Sequence, residues 1–145
     1  MACVTPLGIA IGADGYATND NGQIVSESVV KVRSFPEAGY AIGASGSLAQ
    51  SQAILESLSE AHDLNEIRSS QKEAGEHTAI LAVVRTGKRK GRILTATPDG
   101  AMLEHERYCA IGSGDDTANG AMHVLFELLP KDEQDPALMV EHALR

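Results

Sequence analysis

Residues 12–18, which read Gly12-Ala13-Asp14-Gly15-Tyr16-Ala17-Thr18, give the clearest indication of the fold. Residues 9–14, Ile9-Ala10-Ile11-Gly12-Ala13-Asp14, predict a strand whose small residues indicate a place where another layer approaches the backbone closely. The preceding Pro6-Leu7-Gly8 predicts a tight turn, because proline presets φ and glycine accepts a positive φ. Residues 4–18 therefore predict a β-hairpin.

The first 45 residues continue as strand after strand with short turns between them. Asn19-Asp20-Asn21-Gly22 predicts a turn, and Asn-Gly is among the best hairpin sequences. Strands are predicted over residues 24–32 and 40–44, with a turn over residues 34–39. These 45 residues are typical of antiparallel strands joined by short turns.

The pattern changes to helical spacing near Ser45-Gly46-Ser47. Leu48, Leu55 and Leu58 lie on one helical face, so we expect a helix that starts after a serine cap and runs to about His62. Residues 63–76 are charged and weakly patterned, and either a short helix or a loop fits them.

The second half repeats the alternation of strands and helices. Residues 78–84 are almost continuously apolar and predict a strand buried on both faces. A hairpin tip over residues 87–91, a return strand over 92–97, a turn over 98–100 and a strand over 108–112 follow. One helix is predicted up to Pro130, and another begins with Asp135 as N-cap and Pro136 in its first turn and continues to the end of the chain. The order predicts an α+β sandwich in one domain of 145 residues.

Composition excludes several classes of function. The net charge of -8 argues against a broad nucleic-acid interface, and no apolar stretch approaches the roughly 20 residues of a membrane span. The first residues lack the features of a signal peptide, and two cysteines do not make a disulfide scaffold. No Cys/His spacing suggests a metal site. We therefore expect a cytoplasmic protein with neither nucleic acid nor membrane as a partner. The basic residues at positions 85–92 predict a solvated hairpin tip or a contact with an acidic neighbouring subunit.

Four stretches, taken in order, resemble the proteasome β-subunit and HslV-like family of N-terminal-nucleophile hydrolases. The resemblance covers the whole chain. The four stretches are residues 12–18, Val30-Lys31-Val32, Gly43-Ala44-Ser45-Gly46-Ser47-Leu48-Ala49 and Ala110-Ile111-Gly112-Ser113-Gly114.

The resemblance implies a fold, an activity and partners. The implied fold is a four-layer α/β/β/α sandwich, in which two mainly antiparallel sheets lie between layers of helices. The implied activity is hydrolysis of peptide bonds in unfolded polypeptide, inside a homo-oligomeric ring and without metal or organic cofactor. An ATP-dependent unfoldase is the expected partner.

The resemblance also assigns site residues. Asp14 is expected to orient Lys31, Lys31 to lower nearby pKa values by its charge, Gly46 or its neighbours to stabilise the oxyanion, and Ser113 to support the N-terminal amine. Each has a plainer alternative: Asp14 ends a strand, Lys31 is a surface lysine with a buried stem, and Ser113 caps a helix.

The nucleophile departs from the family's pattern. Family members with a comparably short first hairpin begin Met-Thr-Thr and mature at the first threonine, whereas Ala2 and Cys3 stand at those positions here. Thr5 lies inside a strand. Cys3 is the alternative nucleophile after trimming, with a pKa lowered by Lys31, or else a small buried thiol. Two hypotheses follow: an active peptidase, or a non-catalytic structural subunit or degenerate paralogue.

The C-terminus also departs from the pattern. Family members carry a further strand after the last helix, with an Asp and a Ser near the amine, whereas this chain ends at Ala143-Leu144-Arg145. We therefore expect a sandwich that lacks one or two edge strands, either because the gene product is shortened or because the chain is a fragment. Such a sandwich has exposed strand edges or needs neighbouring subunits.

Overall fold

A computed structural model describes residues 1–18, 21, 23–57, 78–88, 90–96 and 101–145, which form a mixed α/β fold. The strands are β1 (Ala2–Thr5), β2 (Gly8–Ile11), β3 (Ala17–Thr18), β4 (Ile24–Ser26), β5 (Val32–Phe35), β6 (Tyr40–Gly46), β7 (Thr78–Arg85), β8 (Gly91–Ala96), β9 (Met102–His105) and β10 (Tyr108–Cys109). The helices are α1 (Leu48–Ser57), α2 (Asp115–Leu128) and α3 (Pro136–Ala143).

The strands form three antiparallel sheets. Five strands pair in the order β5-β6-β7-β8-β9, three in the order β10-β1-β2, and β3 pairs with β4. The longest ladder joins β6 to β7, from Tyr40 opposite Val84 to Gly46 opposite Thr78. This ladder fixes where β6 ends, and therefore where the glycine turn at Gly46 lies.

The five-stranded sheet buries both of its faces. Its alternate side chains pack against α1 on one face; the buried members of that cluster are Tyr40, Ile42, Ala44, Ile54, Leu55, Ile80, Ala82, Leu94 and Ala96. The intervening side chains pack against β1, β2 and β10; that cluster contains Ala2, Ala41, Leu81, Val83, Ile93 and Cys109. The period of two along each strand thus supplies two separate cores.

The three-stranded sheet packs its other face against α2 and α3. The buried residues of that cluster are Met1, Cys3, Ala110, Ala118, Met122, Met139, Val140 and Ala143. Gly12 permits the close approach of α3, since a Cβ at this position would lie 2.8 Å from Cγ1 of Val140. Gly12 therefore makes room for a neighbouring element, as predicted, although the strand predicted over residues 9–14 ends at Ile11.

The structure confirms several predicted elements. Residues 78–84 form the strand β7, buried on both faces. Asp135 caps α3, because its Oδ1 accepts hydrogen bonds from the N–H groups of Ala137 and Leu138 at 2.9 and 3.1 Å. That helix ends at Ala143 and does not run to the last residue.

Other predictions were wrong, or concern positions outside the described residues. The single strand predicted over residues 24–32 is two short strands, β4 and the start of β5, because residues 27–31 turn between two different sheets. The sequence prediction also missed β9. The turns at 19–22 and 98–100, the hairpin position 89, the end of the first helix and the segment 63–76 lie wholly or partly outside the described residues.

Adjacent residues on α3 provide a test of the helix-facing core. Met139 is 1% exposed and Leu138 is 56% exposed. We expect Met139→Ala to lower the free energy of unfolding by about 2–5 kcal/mol, because it leaves a cavity in the core. Leu138→Ala is the matched control and should stay within about 0.5 kcal/mol of the original chain. Urea unfolding measures both, and equal losses would contradict the placement of α3.

Candidate functional site

The first strand begins beside the loop that carries Asp14. The α-amine of Met1 donates to the carbonyl of Gly12 at 2.8 Å, and the N–H of Gly12 donates back to the carbonyl of Met1 at 2.9 Å. The β1–β2 ladder therefore extends one pair beyond the strands. Met1 is therefore paired with Gly12, which precedes Asp14 by two residues in the sequence.

Asp14 and Lys31 form an ion pair. The Lys31 Nζ lies 2.6 Å from Oδ1 of Asp14, and the same oxygen accepts the backbone N–H of Tyr16 at 3.0 Å. The Lys31 side chain is 24% exposed, and the Asp14 side chain is 45% exposed. The pairing was predicted from residues 17 positions apart, and the structure brings these two side chains into contact.

Backbone contacts hold Lys31 close to the glycine turn. The N–H of Ala44 donates to the carbonyl of Lys31 at 3.1 Å, which continues the β5–β6 ladder. Lys31 therefore lies opposite Ala44, two residues before Gly46. The segment predicted as a strand at Val30-Lys31-Val32 reaches this position although only Val32 belongs to a strand.

The charges of this region act on one another. Burial alone would raise the pKa of Asp14, but the hydrogen bond from Lys31, with that from Tyr16, lowers the pKa below its ordinary value of 3.8. Burial lowers the pKa of the Met1 amine below 8.0; the Lys31 charge adds to this effect and the Asp14 charge opposes it. The charges of Asp14 and Lys31 thus both act on the pKa of the Met1 amine, in opposite directions.

Two glycines with positive φ bring the predicted turn segments together. Gly46 has φ 109° and Gly112 has φ 107°, a region that glycine adopts at little cost. A Cβ at Gly112 would lie 3.4 Å from Cβ of Ser45, so the segment that carries Ser113 lies against the turn that carries Gly46. Both Gly46 and Ser113 are exposed.

The alternative role of Ser113 as a helix cap is wrong. The N-cap of α2 is Gly114, and no side chain makes a capping hydrogen bond there. The N–H of Asp115 instead donates to the carbonyl of Gly112 at 3.1 Å. Ser113 therefore does not cap α2.

Cys3 lies on the face of β1 that points to the helices. It is fully buried, and its Sγ donates to the carbonyl of Pro136 at 3.4 Å. Burial, with a contribution from the Asp135 charge, raises the pKa of its thiol to about 12. This placement, in the chain that begins at Met1, matches the alternative of a small buried thiol, and the lowered pKa expected for a chain trimmed to Cys3 stays a prediction.

Neither Ala2 nor Thr5 offers an accessible nucleophile. Ala2 is fully buried and packs between the two sheets. Thr5 is 5% exposed, and its Oγ1 accepts the N–H of Leu7 at 3.1 Å in the hairpin turn. The Met1 amine is a group in this segment on which the charges of Lys31 and Asp14 act.

The sequence did not predict a cavity between β4, β5 and α1. Its volume is about 410 Å³, and residues from β4, from the segment before and within β5, and from α1 line it. Arg33 and Glu56 place two charges on its wall. Three separated segments build this cavity, so no local motif marks it.

Two further searches concern the described part of the chain only. Residues 1–18, 21, 23–57, 78–88, 90–96 and 101–145 contain no group of three or more His, Cys, Asp or Glu side chains arranged to hold a metal ion. None of the helices described above is long and apolar enough to cross a bilayer.

The Lys31–Asp14 pair gives a titration test. We expect Lys31→Met to raise the pKa of Asp14, because the variant removes the hydrogen bond that lowers it while keeping an apolar stem. Since the Asp14 pKa is below 3.8 in the folded chain, the pair's contribution to stability is present above pH 3.8 and is lost as the pH falls through the lowered pKa. Carboxyl ¹³C shifts followed against pH measure the change. Lys88→Met, on an exposed hairpin, is the control, and an unchanged Asp14 titration in Lys31→Met would contradict the assignment.

The two buried thiols give a reactivity test. Burial raises the pKa of Cys109 as well as that of Cys3. We expect iodoacetamide to leave both unmodified in the folded protein and to alkylate both in denaturant, as judged by intact mass. An added Ser113→Cys substitution, at an exposed position, should react readily in the folded protein. Rapid native labelling of Cys3 would mean that its burial is wrong.

Comparison with solved structures gives the fold. HslV from Trypanosoma brucei matches with a TM-score of 0.73 and 18% identity, over 99% of this chain and 87% of that one. BPH from Thiobacillus denitrificans, in complex with epoxomicin, matches with a TM-score of 0.68 and 20% identity, over 98% and 87%. Anbu, an ancestral β-subunit from Yersinia bercovieri, matches with a TM-score of 0.67 and 16% identity, over 90% and 65%.

These neighbours are HslV and proteasome-like N-terminal-nucleophile hydrolases. No protein-family model and no curated protein matches the chain. The resemblance drawn from the four stretches of sequence is therefore confirmed at the level of structure: the chain has the fold of HslV.

Proposed function

We propose that the chain is a proteasome-like subunit of the threonine-type peptidase class, which hydrolyses peptide bonds of unfolded polypeptide inside a ring. The observation that carries this proposal is the Lys31–Asp14 ion pair, 2.6 Å long, beside the start of β1 in a fold shared with HslV. A surface ion pair by itself contributes little to stability and does not indicate a function. The position of the Lys31–Asp14 pair beside the N-terminus supports a chemical role.

The proposal includes a single domain with a four-layer α/β/β/α architecture. Three hydrophobic clusters support the layering: one lies between α1 and the five-stranded sheet, one between the two larger sheets, and one between the three-stranded sheet and the pair α2 and α3. Three cores in series support an arrangement of four layers.

The proposed roles follow from charge and position. Asp14 orients Lys31, and the Lys31 ammonium favours deprotonation of groups beside it. Backbone N–H groups near Gly46 stabilise the oxyanion of the tetrahedral intermediate. Ser113 supports the N-terminal amine from the adjacent turn. Burial lowers the pKa of the Met1 amine below 8.0, which is the direction that suits a general base near neutral pH.

Hydrolysis further requires a nucleophile at the N-terminus. It attacks the peptide carbonyl, the amine component of the substrate leaves with a proton, and water then cleaves the acyl intermediate. Under this proposal the nucleophile is Cys3, uncovered by trimming, or a residue upstream of Met1. Trimming to Cys3 would have to move its thiol out of the core that it shares with Met122 and Met139.

A second candidate function is a non-catalytic subunit of the same kind of assembly. The observation that favours it is Ala2, which stands where the family has threonine, bears no nucleophilic group and is fully buried. In that case the Lys31–Asp14 pair retains only its structural part, which is to tie the residue 12–16 loop to the start of β5.

Assembly, location and partner belong to the proposal as well. We place the chain in a cytoplasmic homo-oligomeric ring that receives polypeptide from an ATP-dependent unfoldase. A surface with charged side chains is available to a neighbouring subunit at the β7–β8 hairpin and β9. Its described exposed residues include Arg85, Lys88, Lys90 and the Arg92–Glu104 ion pair.

Intact-mass spectrometry distinguishes the two candidates. The purified protein is weighed before and after incubation with epoxomicin, which BPH binds. For the peptidase we expect an N-terminus with a nucleophilic first residue and a stoichiometric adduct on it. Lys31→Met should slow adduct formation by about tenfold or more, as removal of one electrostatic group typically does, whereas Lys88→Met should not. A chain that begins at Ala2 and gains no mass would exclude the peptidase and leave the non-catalytic subunit.

A further inference from the structure

Strand β2 forms an open edge of the three-stranded sheet. Among the described strands it pairs only with β1, in the order β10-β1-β2. All four residues of β2 are partly exposed, whereas three of the four residues of β1 are buried. The side of β2 that faces away from β1 is therefore available to another strand.

The hydrogen-bond pattern shows which backbone groups point to this edge. Met1 and Gly12 exchange two hydrogen bonds, of 2.8 and 2.9 Å, and hydrogen-bonded pairs alternate with non-hydrogen-bonded pairs along an antiparallel ladder. Ile11 and Ile9 precede Gly12 by one and three residues, so both belong to non-hydrogen-bonded pairs. Val4, which lies opposite Ile9, accordingly donates its N–H to a carbonyl just before β10. The N–H and C=O groups of Ile9 and Ile11 therefore point away from β1.

The sequence of β2 leaves this edge unprotected. Open edges in proteins usually carry a charged residue, a proline or a bulge that discourages a further strand. The outer strand β5 carries Arg33, and the outer strand β9 carries Glu104 and His105. In contrast, β2 reads Gly8-Ile9-Ala10-Ile11, and its register with β1 runs without a bulge. This edge is suited to pairing with a further strand.

Helix α3 forms a wall beside the same edge. A groove of about 280 Å³ lies between residues 10–13 and one side of α3, which contributes Ala137, Val140, Glu141 and Leu144. Ile11 packs toward the five-stranded sheet, whereas a Cβ at Gly12 would meet Val140 of α3. Because the groove touches residues of both faces, it lies along the edge of the sheet. A strand added to β2 would therefore place its side chains on one face beside α3.

We propose that the β2 edge binds an extended segment of another polypeptide, which joins the three-stranded sheet as a further strand. Residues of the segment that lie opposite Ile9 and Ile11 exchange hydrogen bonds with them. The residues between them turn their side chains into the groove beside α3. Because the groove is narrow and mostly apolar, these side chains are small and apolar. The partner is thus a segment of about five residues with alternating apolar side chains.

The charges around the edge favour a basic segment. Among the described residues that line the groove, Glu141 is the only charged one, and the chain has a net charge of -8. Basic residues at the ends of the segment therefore suit this edge better than acidic ones. The site depends on the fold alone and requires neither a nucleophile nor peptidase activity.

Amide hydrogen exchange followed by NMR tests the proposal with the synthetic peptide acetyl-KVAVAVK-amide, in which valine and alanine alternate between basic ends. In the free chain we expect the N–H groups of Ile9 and Ile11 to exchange at least about tenfold faster than those of Ala10 and Gly12, which are paired with β1. At a peptide concentration of about four times its Kd, exchange at Ile9 and Ile11 should slow about fivefold. Exchange at Ala10 and Gly12 should change less.

A control peptide and two variants locate the site. The peptide acetyl-KVAPAVK-amide lacks one ladder N–H and should give no protection. Ala137→Phe fills the groove and should weaken binding of the first peptide about tenfold, whereas Leu138→Phe, next to it but outside the groove, should leave binding unchanged. Both positions are exposed, so both variants should fold, and thermal unfolding checks this.

Four results would overturn the proposal. The first is slow exchange at Ile9 and Ile11 in the free chain at every concentration, because the edge would then already be covered. The second is protection that grows with protein concentration in the absence of peptide, which would make a second copy the occupant. The third is a lack of protection at about 10 mM peptide. The fourth is a peptide that perturbs only the signals of Lys31 and Gly46, which would place it at the candidate site and support the proposed function instead.

Discussion

The burial of both faces of β7 is the constraint on which the rest of the structure depends. Ile80 and Ala82 face α1, while Leu81 and Val83 face the three-stranded sheet. A shift of one residue in the register would exchange these faces and mix the two cores, so that apolar packing strongly specifies the register. Because β6 pairs with β7 over seven residue pairs, its end at Gly46 is fixed by the same constraint.

The candidate site inherits its geometry from this ladder. β5 pairs with β6, which sets Lys31 opposite Ala44 and near the Gly46 turn. The three-stranded sheet packs on the other face of the same strands and carries Asp14 at its end. The Lys31–Asp14 pair therefore joins two sheets whose relative position the apolar core has already determined, and its own contribution to stability is small.

Small residues matter in two opposite ways. At Gly12 and Gly112 the lack of a side chain lets neighbouring elements approach closely, and both positions belong to the stretches of sequence that predicted the fold. At Gly120 the lack of a side chain leaves open space on a helix surface. The sequence presents the same residue in both cases, and only the surroundings separate a packing role from an unoccupied surface.

The alternation of strands and helices, the buried strand at residues 78–84 and the cap of α3 could be predicted from the sequence alone, because periodicity and capping chemistry encode them locally. The pairing of Asp14 with Lys31, 17 residues apart, was expected only from the resemblance to a known family. Only the folded chain shows the state of Cys3, whose pKa is raised because distant segments bury it, and the division of residues 24–35 between two sheets. The cavity between β4, β5 and α1 and the exposure of Val124 and Leu128 on α2 likewise follow from how the elements pack. Burial and cavities depend on which elements pack together, and a single sequence states that relation only through the folded chain.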